Sequence, residues 1–166
     1  PWRVTLVDTG DNSQTGGRLK RVIPLVKDEE AFCLTYGDGV ADINITAELA
    51  FHRSHGKEAT VASVVPPGRY GALEIEDGFV RRFAEKPRGD EGRINGGFFV
   101  LNRPVIERID DDTTPFESAP LESLARDGQL MAFNHEGFWH AMDTLRDKIH
   151  LERLWCEGGA PWKSWS

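Results

Sequence analysis

Ala31-Phe32-Cys33-Leu34-Thr35-Tyr36-Gly37-Asp38-Gly39 is an apolar run that stops abruptly on a carboxylate between two glycines. The run is too short for a helix, and its lack of polar alternation suits a strand covered on both faces. Just downstream, Ile45–His55 reads as a helix, with Gly56 placed to end it in the left-handed conformation. Residues 59–65 form a second covered strand, closed by Pro66-Pro67. Strand, helix, strand in that order predicts an α/β fold on a mainly parallel sheet.

Upstream, residues 5–7 are β-branched and apolar and read as a strand ending at Asp8-Thr9-Gly10. Thr15-Gly16-Gly17-Arg18 then opens a helix with Leu19, Val22, Ile23 and Val26 at helical spacing, kinked or shortened by Pro24. Downstream, residues 72–75 and 79–83 flank Asp77-Gly78, a strong hairpin signal. A strand over 94–101 is broken early by Gly96-Gly97, and a short helix runs from Pro104 to Ile109. A helix over 121–126 stops at Gly128, strands follow at 130–133 and 138–142, and a final helix begins near Thr144. No repeat or linker divides residues 1–166, so they read as a single domain.

Composition narrows the function classes. Hydrophobic residues at 39% and charged residues at 28% are ordinary globular usage. No apolar run approaches the roughly 18 residues of a membrane span, and no signal peptide opens the chain, so a cytoplasmic protein with no membrane partner is expected. The net charge of −7 argues against nucleic acid as a partner, although local Arg and Lys can still hold a small phosphorylated ligand. Cys33 and Cys156 lack metal-ligand or C-x-x-C spacing and read as buried thiols. The start at Pro1-Trp2, straight into apparent strand, reads as a fragment.

Ligands of open α/β sheets bind beyond the carboxyl ends of the strands, where Asp38 is placed. Its flanking glycines would permit a sharp turn and close ligand approach, and a carboxylate there suits Mg²⁺ on a polyphosphate. A plain tight turn is the alternative. Asp143 precedes the last helix, so it could join Asp38 on a metal, or Asp143 or Thr144 could merely cap that helix. Lys86, held extended by Pro87, offers a charge for phosphate, and Glu85 offers acceptors for sugar hydroxyls. Asn95-Gly96-Gly97 is either a sugar-facing surface or a strand bulge. Thr15-Gly16-Gly17-Arg18 could hold an anion at a helix start. His52 and His55 fall on the polar side of their helix, and His140 reads as a satisfied, partly buried histidine.

In order along the chain these segments resemble one family. They are Tyr36-Gly37-Asp38-Gly39-Val40-Ala41-Asp42, Pro67-Gly68-Arg69-Tyr70-Gly71-Ala72-Leu73, Glu85-Lys86-Pro87, Ile94-Asn95-Gly96-Gly97-Phe98-Phe99-Val100, Gly137-Phe138-Trp139 and Met142-Asp143-Thr144-Leu145-Arg146-Asp147. They are similar to the sugar-1-phosphate nucleotidylyltransferases, and within them to the bacterial glucose-1-phosphate cytidylyltransferases.

The resemblance implies a three-layer, Rossmann-like nucleotidyltransferase fold, α/β, with a mixed, mainly parallel central sheet and a β-hairpin subdomain. It implies CTP and glucose 1-phosphate as substrates, and CDP-glucose and pyrophosphate as products, in surface-polysaccharide (O-antigen, lipopolysaccharide) biosynthesis. It also implies Mg²⁺ as cofactor and a homo-oligomer. Asp38, Asp143 and Lys86 would be catalytic, the two aspartates as metal ligands. Arg18, Tyr36, Gly37, Tyr70, Gly71, Glu85, Lys86, Asn95, Gly96 and Gly97 would bind substrate. The family's G-G-x-G-T-R-L loop, its Pro-Lys-Pro segment and its first strands are not in this sequence, which leaves three rivals open. One is a sugar-phosphate-binding or inactive fragment; another is a uridylyl or thymidylyl relative. The third, a glycosyltransferase, would need an Asp-x-Asp metal motif, and Asp38 and Asp42 are too far apart for one.

Overall fold

The computed structural model describes residues 2–68, 72–85 and 92–165. Helix α1 (Thr15–Val22) gives way at Pro24 to a 3₁₀ turn, Ile23–Val26, because proline lacks the N–H that would continue the helical ladder. Then come β1 (Ala31–Thr35), β2 (Gly39–Ala41), α2 (Ile45–His55) and β3 (Ala59–Val64). A hairpin, β4 (Ala72–Glu76) and β5 (Phe79–Ala84), precedes β6 (Ile94–Asn102). A 3₁₀ turn at Arg103–Arg108, α3 (Ala119–Arg126), β7 (Leu130–His135), β8 (Trp139–Ala141) and α4 (Leu145–Cys156) complete the order. None of the described helices is long and apolar enough to cross a membrane.

The central sheet has the order β1-β6-β3-β7. Backbone bonds give its directions. Tyr36 N–H donates to Gly97 C=O while Arg103 N–H donates to Glu30 C=O, so β1 and β6 run antiparallel. Asn102 N–H donates to Glu58 C=O, which sets β6 antiparallel to β3 as well. Ala59 N–H donates to Gln129 C=O, start to start, so β3 and β7 are parallel. The fold is therefore mixed α/β with a mixed central sheet. At the hairpin, Asp77 and Gly78 both take positive φ (50° and 80°), as a two-residue primed turn requires.

The chain forms two compact units, and the strands of the central sheet contribute residues to each. The unit of residues 1–34, 49–60 and 99–131 has a dense apolar core of Leu19, Phe99, Leu101, Val105, Ile109, Phe116 and Leu124. Phe99 and Phe116 meet edge to face at 5.6 Å. Arg108 bonds Glu58 (3.0 Å), Ser123 (3.1 Å) and Asp127 (2.7 Å). In the other unit Ala62, Val64 and Leu151 are buried, while Leu73, Ile75, Val80 and Phe83 of the hairpin stay exposed. The two tail tryptophans pack within that same unit, Trp162 on Phe138 at 5.4 Å and Trp165 on Trp155 at 6.4 Å.

Several expectations are corrected. Residues 5–7 form no strand, and Leu6 is 93% exposed: β-branched composition does not make a strand where no neighbouring strand pairs with it. β1 is not covered on both faces; it is an edge strand with Cys33 and Thr35 exposed. Cys156 is exposed too, so neither thiol is buried. β6 runs through Gly96-Gly97 unbroken, with Gly97 at φ +76°, a conformation that glycine adopts without strain.

His52 lies not on a polar face but at 3% exposure inside a closed ring of hydrogen bonds. Lys57 N–H donates to His55 Nδ1 (2.9 Å), which places the neutral ring's proton on Nε2, 2.8 Å from Thr60 Oγ1. Thr60 then donates to His52 Nδ1 (2.9 Å), and His52 Nε2 donates to Asn102 Oδ1 (2.9 Å). The Asn102 amide closes the ring on Lys57 C=O at 3.1 Å. Burial first, then the neighbouring His52 and Lys57, hold His55 below its usual pKa, consistent with a neutral His55 ring.

Glu48 of α2 is 1% exposed, and its Oε1 has no hydrogen-bond partner. Burial pushes its carboxyl up to about 7. Below pH 4.5 the group is protonated folded or unfolded and contributes nothing. Between 4.5 and about 7 the unfolded chain has released the proton that the folded chain retains, so stability falls as pH rises. The full loss, on the order of 3 kcal/mol, stands above that window. Glu48→Gln is expected to flatten this slope in urea melts taken from pH 4.5 to 7. An unchanged slope contradicts the assignment.

Candidate active site

β2 and β8 form a short antiparallel ribbon with Gly39 opposite Ala141, Val40 opposite His140 and Ala41 opposite Trp139. One step beyond the ladder, Met142 N–H donates to Asp38 C=O at 2.8 Å. Asp38 enters this end of the ribbon and Asp143 leaves it, so a separation of over a hundred residues in sequence closes to neighbouring positions. The far end is pinned by Asp42, whose Oδ1 accepts from Phe138 N–H (2.7 Å) and lies 2.9 Å from His135 Nε2.

Asp143 is not the cap of α4. Thr144 is, and its hydroxyl and backbone amide form a capping box with Asp147. The Thr144 hydroxyl first, then His140 Nε2 at 3.1 Å and the Thr144 amide, hold the Asp147 carboxyl below its usual pKa. His140 is thus the satisfied, part-buried histidine expected. These bonds occupy Asp147 and fix the backbone that presents Asp143, which is itself exposed.

A cavity of about 230 Å³ opens at this end of the ribbon. Tyr36, Asp38, Asn95, Gly96, Gly97 and Asp143 line it, so six of the residues singled out in the sequence converge there. The Tyr36 ring crowds Gly97, where a Cβ would meet its Cδ2 at 2.7 Å. Asn95 Oδ1 accepts from Gly97 N–H (2.8 Å), which ties the amide oxygen to the backbone and leaves the amide nitrogen as a donor for a ligand. Gly37 and Gly39 have no positive φ, so the bend does not require glycine conformation. A Cβ at Gly37 would meet nothing within 4 Å, and the space beside Asp38 is open.

Other candidates lie elsewhere. Glu85 follows β5, exposed and outside the cavity lining, and Lys86, Tyr70 and Gly71 lie outside the described residues. Arg18, in the other unit, bonds Thr9 Oγ1 (2.7 Å) and Asp11 C=O (3.4 Å). At the start of α1, Gln14 N–H donates to Asp112 C=O and Gly16 N–H to Thr114 C=O, so those amides are spent on protein carbonyls rather than an anion. Sequence reading missed Trp139 and Ala141, which line the cavity. The period-two side-chain alternation of a strand, counted back from Asp143, would have found both.

Among the described residues no group of three or more His, Cys, Asp or Glu is placed to hold a metal ion. Two carboxylates on one cavity, the Asp38 carboxylate exposed and making no hydrogen bond among the described residues, suit Mg²⁺, which keeps waters and takes substrate phosphate oxygens as its other ligands.

The sequence profile of the nucleotidyl transferase family matches residues 8–154. The chain belongs to the nucleotidyl transferase family. Two curated relatives are named glucose-1-phosphate cytidylyltransferase, from Salmonella typhi and Salmonella typhimurium. Each is 64% identical over 165 residues, which is 99% of this chain and 64% of the relative. The chain thus spans under two thirds of their length. Among solved structures, that of HddC from Yersinia pseudotuberculosis superposes with a TM-score of 0.61 at 24% identity, covering 84% of this chain and 61% of HddC. At that identity the likeness speaks for the fold of this nucleotidyl transferase chain and not for its substrate.

Proposed function

We propose that this chain carries the sugar-phosphate and metal-binding part of a glucose-1-phosphate cytidylyltransferase. In that role it joins CTP and glucose 1-phosphate to give CDP-glucose and pyrophosphate. The observation that carries the reading is the shared cavity: Asp38 and Asp143 line one pocket with Asn95, Gly96 and Gly97. The 64% identity to two relatives bearing that name supports the choice of base and sugar. The fold assigned with it is the three-layer Rossmann-like one, as a single domain, in a cytoplasmic homo-oligomer.

A phosphate oxygen of glucose 1-phosphate attacks the α-phosphorus of CTP, forming the new P–O bond as the bond to pyrophosphate breaks. The attacking phosphate is already ionised, so no general base is needed, and positioning and charge neutralisation dominate the catalysis. Asp38 and Asp143 would hold Mg²⁺, which when bound neutralises charge on the polyphosphate. Lys86 holds the attacking phosphate and Glu85 accepts from sugar hydroxyls. The Asn95 amide nitrogen donates to the sugar, while the bare backbone of Gly96 and Gly97 lets the ring approach. Tyr36, Gly37, Tyr70 and Gly71 complete the substrate wall, and Arg18 meets nucleotide phosphate.

Calorimetric titration of the chain with glucose 1-phosphate is expected to show saturable binding. A polypeptide of the relatives' full length carrying this chain is expected to release pyrophosphate from CTP only when glucose 1-phosphate is present. Release with UTP or dTTP in preference to CTP contradicts the base assignment. Absence of sugar-phosphate binding contradicts the whole reading.

A further inference from the structure

Trp139 is the large side chain of the cavity to which nothing above gives a role. It lies on the cavity-facing side of β8 together with Ala141 and Asp143, two and four residues on. Its indole Nε1–H donates to Gly96 C=O at 2.8 Å. That bond has two consequences. It satisfies the one polar atom of the indole, so what the ring offers the cavity is hydrocarbon and π surface. It also fixes the ring against β6 at the glycine pair. A Cβ on Gly96 would meet Val64 Cγ1 at 2.6 Å, so this backbone is packed tightly on its other side and cannot retreat from the indole.

A hexose 1-phosphate has two unlike ends. Its phosphate needs cations and metal, which the proposed function assigns to Lys86 and to an ion on Asp38 and Asp143. Its ring presents C–H bonds on its faces and hydroxyls around its edge. Asn95 can donate to an edge hydroxyl, and among the described residues that line the cavity Tyr36 and Trp139 are the only aromatic side chains. The Tyr36 ring is packed against Gly97. The indole therefore offers an apolar platform already held in place, which binds without the cost of ordering a mobile side chain.

We propose that Trp139 is a substrate-binding residue that recognises the pyranose ring through its C–H face, and so separates sugar phosphates from phosphate alone. This rests on the reading of the site given under the proposed function. Removing an aromatic contact of this kind costs about tenfold in affinity.

The test is calorimetric titration of wild type, Trp139→Leu and Trp139→Phe, with glucose 1-phosphate and with inorganic phosphate, each variant first checked by its thermal melt. Trp139→Leu is expected to bind glucose 1-phosphate about tenfold more weakly and inorganic phosphate unchanged. Trp139→Phe keeps a ring but loses the bond to Gly96, and is expected to fall between the two. Equal losses for both ligands in a folded Trp139→Leu assign the residue to architecture and overturn the proposal. So does glucose 1-phosphate affinity equal to wild type. Wild type that binds no glucose 1-phosphate contradicts the underlying reading itself, a result distinct from an insensitive variant.

Discussion

Asp143→Ala, placed in a polypeptide of the relatives' full length, is expected to lower the rate of CDP-glucose formation by about 100- to 1,000-fold, and Asp38→Ala to match it. The size follows from what the two carboxylates do. In the proposed role they would hold the ion that compensates charge at the point where negative charge is redistributed. Neither substitution should unfold the chain, because both side chains are exposed and the helix beside Asp143 is capped by Thr144 and Asp147. The double variant should be no slower than either single one, since groups that act as a unit are non-additive. Near-normal turnover of either variant contradicts the role.

The second large effect is on stability and falls far from the chemistry. Gly17→Ala would ordinarily strengthen a helix interior by close to 1 kcal/mol. Here a Cβ would lie 2.7 Å from the Asp112 carbonyl carbon, and closer still to its Cα and oxygen. Those are backbone atoms, held in place by Arg21, which pairs with the Asp112 carboxylate, and by Gln14 N–H on its carbonyl. Overpacking of about 1–3 kcal/mol outweighs the helical gain, so the melting temperature should fall by roughly 5 °C. Gly37→Ala is the matched control, since its Cβ meets nothing and its backbone is not left-handed, and its melting temperature should stay at that of wild type. A Gly17→Ala chain as stable as wild type shows that α1 can move off its neighbour.

These glycines show what the sequence could and could not disclose. Gly16-Gly17 at a helix start suggested an anion site; the structure uses them for close contact with a carbonyl-bearing loop near Asp112 and Thr114. Nothing local distinguishes the two uses, because both need a missing Cβ. Elements with a strong local cause were legible: α2 with Gly56, the hairpin with Asp77-Gly78, the turn at Pro24. Elements made by partnership were not. Residues 5–7 have strand composition without a neighbouring strand, whereas Gly39–Ala41 is a strand of three residues formed because β8 lies opposite.

The same contrast holds at the site. Asp38 was legible as a carboxylate at a strand end, and Asp143 as one before a helix. Trp139 received no site role, because its place on the cavity face of β8 follows from the ribbon with β2. Asn95 was read for its whole amide, but half of that amide is used by Gly97 N–H, a local turn visible only in coordinates.

The central claim is that Asp38 and Asp143 grip one divalent ion between them. Mn²⁺ is a spectroscopic stand-in for Mg²⁺, and its affinity can be read by electron paramagnetic resonance with CTP present in the full-length polypeptide. The series is wild type, Asp38→Asn, Asp143→Asn and the pair together. The account predicts that each single change removes the same tight site and that the second change adds nothing. Losses that simply add, or a single variant that binds Mn²⁺ as wild type does, would mean that the two carboxylates serve separate purposes.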